Sequence, residues 1–65
     1  MSAMEQLLVW SNASQRRKHW FQDSRRSVRD CNVMTETGKR LSVSARNDER
    51  AAELMLKMLK AQGLA

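Results

Sequence analysis

The stretch Val33-Met-Thr-Glu-Thr-Gly-Lys-Arg-Leu-Ser-Val43 constrains the fold more than any other part of the chain. Place a turn at Glu36-Thr37-Gly38, with Gly38 supplying the positive φ of a bulged three-residue loop, and Thr35 faces Lys39. Moving outward, Val33 then faces Leu41, Cys31 faces Val43 and Arg29 faces Ala45. Strand alternation puts these pairs on one side of a ribbon. Met34 with Arg40, Asn32 with Ser42, Asp30 with Ser44 and Val28 with Arg46 fall on the other. One register thus separates most apolar from most polar side chains, and a slip of one residue destroys the separation. The sequence therefore predicts a β-hairpin whose apolar side needs a cover.

The cover is legible downstream. Asn47 is placed to cap a helix, Asp48 and Glu49 put negative charge in its first turn, and Lys57 and Lys60 lie towards its end. Gly63 follows as a left-handed stop, with Leu64 folding back as in a Schellman ending. Ala51, Ala52, Met55, Met58 and Leu59 share one face at helical spacing, and Leu54 and Leu56 widen it. Arg50, Glu53, Lys57 and Lys60 form the opposite stripe. The apolar arc is wider than a small sheet needs, which fits either self-association or a core helix with a broad flank.

Upstream the pattern is weaker. Ser2 and Glu5 have capping-box spacing, and Met4, Leu7 and Leu8 follow helical spacing, so a short helix is expected near residues 3–10. Ser11-Asn12-Ala13-Ser14 reads as a break. Gln15 to Ser27 admits two readings. As a strand, His19-Trp20-Phe21-Gln22 joins the hairpin, with Asp23-Ser24-Arg25-Arg26 as the connection. As a helix capped by Ser14, it aligns Trp20, Ser24 and Val28 with Arg17 and Cys31. The strand is preferred. The expected class is α+β: a short N-terminal helix, a two- or three-stranded antiparallel sheet, and a C-terminal amphipathic helix packed on the sheet.

Sixty-five residues make at most one domain. Its expected parts are residues 1–13 (lead helix and break), 14–46 (basic sheet region) and 47–65 (C-terminal helix). A chain this short buries only about 60% of its unfolded surface, so its core is marginal. One cysteine allows no intrachain disulfide, and with one histidine a structural zinc site is not expected. A homodimer is the expected remedy. The lone cysteine, the poor signal-peptide character of MSAMEQLLVW and the lack of a membrane-length apolar run together imply a cytoplasmic protein.

Catalysis finds little support. His19 and Cys31 are the only pair of their kind, and Cys31 falls on the apolar side of the ribbon, where a buried thiol is ordinarily inert. The acid pair Asp48-Glu49 is explained by helix capping. Two glycines so far apart build no phosphate loop. No cofactor and no enzymatic activity are expected.

Charge carries the functional signal. Residues 14–46 hold nine Lys/Arg against Asp23, Asp30 and Glu36, whereas residues 47–65 balance to zero. A basic middle implies a polyanionic partner, usually nucleic acid. In SQRRKHWFQDSRRSVRD, Arg16, Arg17, Lys18, Arg25, Arg26 and Arg29 surround His19, Trp20 and Phe21. The cations are candidate phosphate contacts. The aromatic rings are either stacking platforms or, for at least one of them, part of the core. Arg40, Arg46 and Asn32, with Ser42 and Ser44 between, supply groove-reading residue types on the polar face of the ribbon, and Lys39 stands beside its turn. A two-stranded ribbon also fits a major groove.

The segment TETGKRLSVSARNDERAAELMLKML resembles the end of three-stranded-sheet-plus-helix DNA-binding domains, namely the arm-binding domains of phage-type integrases and the plant AP2 domains. The likeness spans roughly residues 18–62. It implies a sheet lying in the major groove with the helix bracing its back, and places Asn32, Arg40 and Arg46 on the reading ribbon. The expected function is non-enzymatic binding of double-stranded DNA by a small phage- or plasmid-type regulator or accessory factor. RNA binding is an alternative. So is a protein-binding inhibitor or adaptor using Leu7, Leu8, Val9, Trp10 or the surplus face of the C-terminal helix.

Overall fold

A computed structural model describes all residues, Met1 to Ala65. The order is α1 (Ala3–Asn12), β1 (Lys18–Arg25), β2 (Val28–Met34), β3 (Arg40–Ala45) and α2 (Asp48–Ala61). The strands form one antiparallel sheet in the order β1-β2-β3. Both helices pack against the same face of that sheet, α2 across β2 and β3, α1 beside α2 and against β1. The α+β class read from the sequence is thus the observed one, with three strands.

The second hairpin has the expected register: Val33 pairs with Leu41, Cys31 with Val43 and Arg29 with Ala45. The ladder ends there, one pair short of Val28 and Arg46. Gly38 has φ 85°. The Thr35 N–H donates to the Lys39 carbonyl at 2.9 Å, closing the loop. Cys31 and Val33 are fully buried and Leu41 nearly so, against Ala51, Ala52, Met55, Leu56 and Leu59 of α2. Alternation places β2 residues of opposite parity on the far face, which no helix covers.

α2 begins and ends as its sequence prescribes. Asn47 has an extended backbone, and its side chain accepts from the Arg50 N–H at 2.8 Å. Gly63 takes φ 71°, and the Leu64 N–H donates to the Leu59 carbonyl at 2.8 Å, the long-range bond of a Schellman ending.

Two boundaries differ from expectation. α1 continues to Asn12, because Trp10 and Ser11 are buried and the Ala13 N–H still finds the Val9 carbonyl. The break therefore starts two residues later than Ser11. β1 is the strand preferred from the sequence, and the helical alternative for residues 15–27 falls. It also runs on through Asp23, Ser24 and Arg25, which were expected in the connection. A bulge between Asp23 and Arg25 and a tight Arg26-Ser27 turn, with Ser27 at φ 58°, absorb the irregularity.

No helix is long and apolar enough to cross a membrane.

Candidate nucleic-acid interface

The ten basic and polar candidates divide by what surrounds them. Two arginines belong to the scaffold. Arg29 lies on the covered face, where its Nε and Nη2 donate to the two carboxylate oxygens of Asp48 at 2.8 and 3.3 Å and its Nη1 donates to Asp23 at 2.8 Å. The hydrogen bonds to Asp48 and then Asp23 push its guanidinium further from deprotonation than an ordinary arginine. Arg29 thus fastens the start of α2 to β2 and β1.

Arg17 pairs with Glu36 at 2.7 Å, donates through Nη1 to the Trp10 carbonyl at 3.0 Å, and lies 4.7 Å from the Trp10 ring centroid. That places a cation at the C-terminal end of α1, where the helix dipole favours it. Both cations are held by acids within the fold, so neither is counted among the free basic side chains of the open face. Lys39 is likewise turned away: it shares the parity of the covered face, and its Nζ donates to the Gln62 Oε1 at 2.9 Å.

Arg16, Lys18, Arg25, Arg26, Arg40 and Arg46 are exposed, and none has an acid partner. Register and alternation place Lys18, Arg25 and Arg40 on the helix-free face of the sheet. Arg26 stands at the β1–β2 tip, and Arg46 follows the end of β3. Trp20 and Gln22 share that face on β1, and Ser42 and Ser44 share it on β3. Phe21 alternates to the other side and packs on the core, with His19 edge-on to it at 6.3 Å. One of the two aromatic residues is therefore core and the other is not.

The imbalance of charge comes from how the acids are used. All seven Asp and Glu side chains have an intramolecular partner. Asp23 and Asp48 hold Arg29, Glu36 holds Arg17, and Glu53 holds Arg50. Asp30 accepts from the Ser44 hydroxyl at 2.6 Å. Glu5 closes the capping box with Ser2, and Glu49 accepts from the Ala3 and Met4 N–H groups at the start of α1. Nine of the twelve basic side chains are left without an acid partner.

Asn32 is the unexpected member. It sits on the open face between Trp20 and Ser42, yet it is only 2% exposed and its Nδ2 has no hydrogen-bond partner. Above it, Arg40 places its guanidinium carbon 5.5 Å from the Trp20 ring centroid. Residue type and strand parity mark Asn32 as a groove reader, but no local pattern signals that Trp20 and Arg40 come together across its strand. The register holds the only hint, since Trp20 takes the position opposite Asn32 once β1 is recognised.

The apolar N-terminal run also splits. Leu7 and Trp10 are buried, with the Trp10 Nε1 donating to the Leu64 carbonyl at 2.7 Å, so they are not contact residues for a partner. Leu8 and Val9 are exposed, together with Met1 and Met4.

Compared with known proteins, the chain matches no family model, no curated protein and no solved structure.

Proposed function

We propose that this chain binds double-stranded nucleic acid, DNA foremost, through the helix-free face of its sheet, and does so without catalysis as a small regulator or accessory factor. The observation that carries the reading is the segregation of charge. Every carboxylate has an intramolecular partner, and Asp30, bonded to Ser44, is the one acid on the open sheet face, whereas Lys18, Arg25, Arg26, Arg40 and Arg46 stand unpaired on or beside it. Such cations gain by replacing the counterions of a phosphate backbone. Trp20 and the polar side chains among them give the face recognition groups as well as charge.

The test is a salt titration on random-sequence duplex DNA. Log affinity should fall linearly with log salt, by roughly 0.9 per phosphate contacted. Reversing charge with Arg25→Glu and Arg26→Glu should flatten that slope by about one per lost contact. Lys57→Glu and Lys60→Glu on the far side of α2 should leave it nearly unchanged. No binding at low salt, or a slope that responds to the α2 pair instead, removes the reading. Parallel titrations on duplex RNA decide between the two nucleic acids.

A second reading is favoured by the exposed Met1, Met4, Leu8 and Val9. These apolar side chains lie on and before α1, beside Glu5 and Glu49, and suit self-association through this end of the molecule. Size exclusion with light scattering tests it: Leu8→Lys should return a dimer to monomer, and a wild-type monomer at high micromolar concentration rules it out.

A further inference from the structure

β2 separates β1 from β3, so a β3 side chain reaches a β1 ring only by crossing β2. Adjacent strands lie about 4.8 Å apart. Arg40 on β3 nevertheless stacks its guanidinium over Trp20 on β1. Trp20 is the cross-strand partner of Asn32, and Arg40 is the partner of Met34, the next residue along this face. The pair therefore closes over Asn32, which explains a nearly complete burial on a face no helix covers. It also leaves the Nδ2 amide without an acceptor. Buried polar groups are rarely left so, because an unmade hydrogen bond is costly.

We propose that Arg40 and Trp20 form a displaceable roof over a base-reading site, and that Asn32 takes the major-groove edge of an adenine once the roof opens. The inference rests on the open face being the nucleic-acid surface. Arg40 has no acid partner holding it over the ring, and an exposed cation–π contact is weak beside a phosphate. A backbone phosphate thus draws Arg40 off Trp20. The uncovered amide offers an N–H donor beside a carbonyl acceptor, matching the N7 acceptor and N6 amino donor of adenine. Ser42, the other partner of Asn32, borders the site with a small side chain that leaves room for a base edge.

The experiment selects bound duplexes from a pool with a randomised core, at low salt, and sequences them. The wild-type protein should enrich adenine at one position by roughly tenfold or more, the scale of one good bidentate contact. Asn32→Ala and Asn32→Thr should lose that preference while still binding the unselected pool. Arg40→Ala should keep the adenine preference but show a shallower salt dependence. Nitrogen-15 spectra give a readout that needs no variant to fold: the Asn32 side-chain amide should shift when the selected duplex is added. A wild-type selection without adenine, an Asn32 variant that keeps the preference, or an unmoved amide overturns the inference while duplex binding stands. Failure to bind the unselected pool at all overturns the functional reading, and this one with it.

Discussion

Ser27 is the one residue other than glycine with a left-handed backbone, at φ 58° in the β1–β2 turn. A side chain there crowds the following carbonyl, at a cost of about 1–2 kcal/mol. Ser27→Gly should therefore raise stability by about 0.5–1 kcal/mol after glycine's own entropy is counted. Gly38→Ala should lower it by about 1 kcal/mol, although no atom lies within 4 Å of the added methyl, because φ 85° is the obstacle. In a domain this size each kcal/mol moves the melting temperature by about 4–8 °C, which circular dichroism resolves. Cys31 gives a pH-dependent case. Burial, then the charge of Asp48, pushes its thiol up to about 11. The unfolded thiol titrates near 8.5. The folded state thus holds the proton more tightly, and its advantage is full below about pH 8.5 and lost as pH rises towards 11. Wild type should lose more stability than Cys31→Val between pH 8 and 11, and the native thiol should resist a thiol-reactive dye at pH 7. Arg17 and Arg29 show where reading single residues fails. Their charge is plain in the sequence, but Glu36 and Asp48, each nineteen residues further on, become their partners only through the fold.

At the level of elements, short-range order was the legible part. The second hairpin and α2 are specified by side-chain alternation, one turn glycine, an asparagine cap and a terminal glycine, all local; the hairpin's register and both ends of α2 were read as they stand, the ladder alone stopping one pair early. β1 was harder because its turn uses Arg26-Ser27 where glycine or asparagine would have signalled it. Docking of α1 was not legible. It depends on Glu49, at the head of α2, accepting the Ala3 N–H at 2.7 Å and the Met4 N–H at 3.2 Å, a joint between residues far apart in sequence. The carboxylate does for α1 what an N-cap and a favourable dipole charge do together. Glu49→Gln should cost about 1 kcal/mol and speed amide exchange in the first turns of α1 more than in α2. Asn47→Ala should cost a similar amount, with the exchange changes confined to the start of α2. Equal effects of the two variants on both helices would show that the joint is not where the hydrogen bonds place it.

The whole molecule is two layers, helices behind and sheet in front, with each acid held by an intramolecular partner, Asp30 alone among them on the open face, and much of its free positive charge forward. The helix-covered face buries Cys31, Val33 and Leu41, so the open face is free to carry Lys18, Trp20, Gln22, Arg40, Ser42 and Ser44. That the ribbon needed a cover was visible from alternation alone. That α1 would join α2 on that same side, leaving the other bare across three strands, was not visible, because no local pattern encodes the path of α1. The most direct measurement is a nitrogen-15 titration of the intact protein with a short random duplex at low salt. Backbone and side-chain signals of Lys18, Gln22, Arg40, Ser42 and Ser44 should move together and saturate, while those of Lys57 and Lys60 on α2 stay in place. Shifts centred on α2 or on Met4 and Leu8 of α1, with the sheet signals unmoved, would contradict the account.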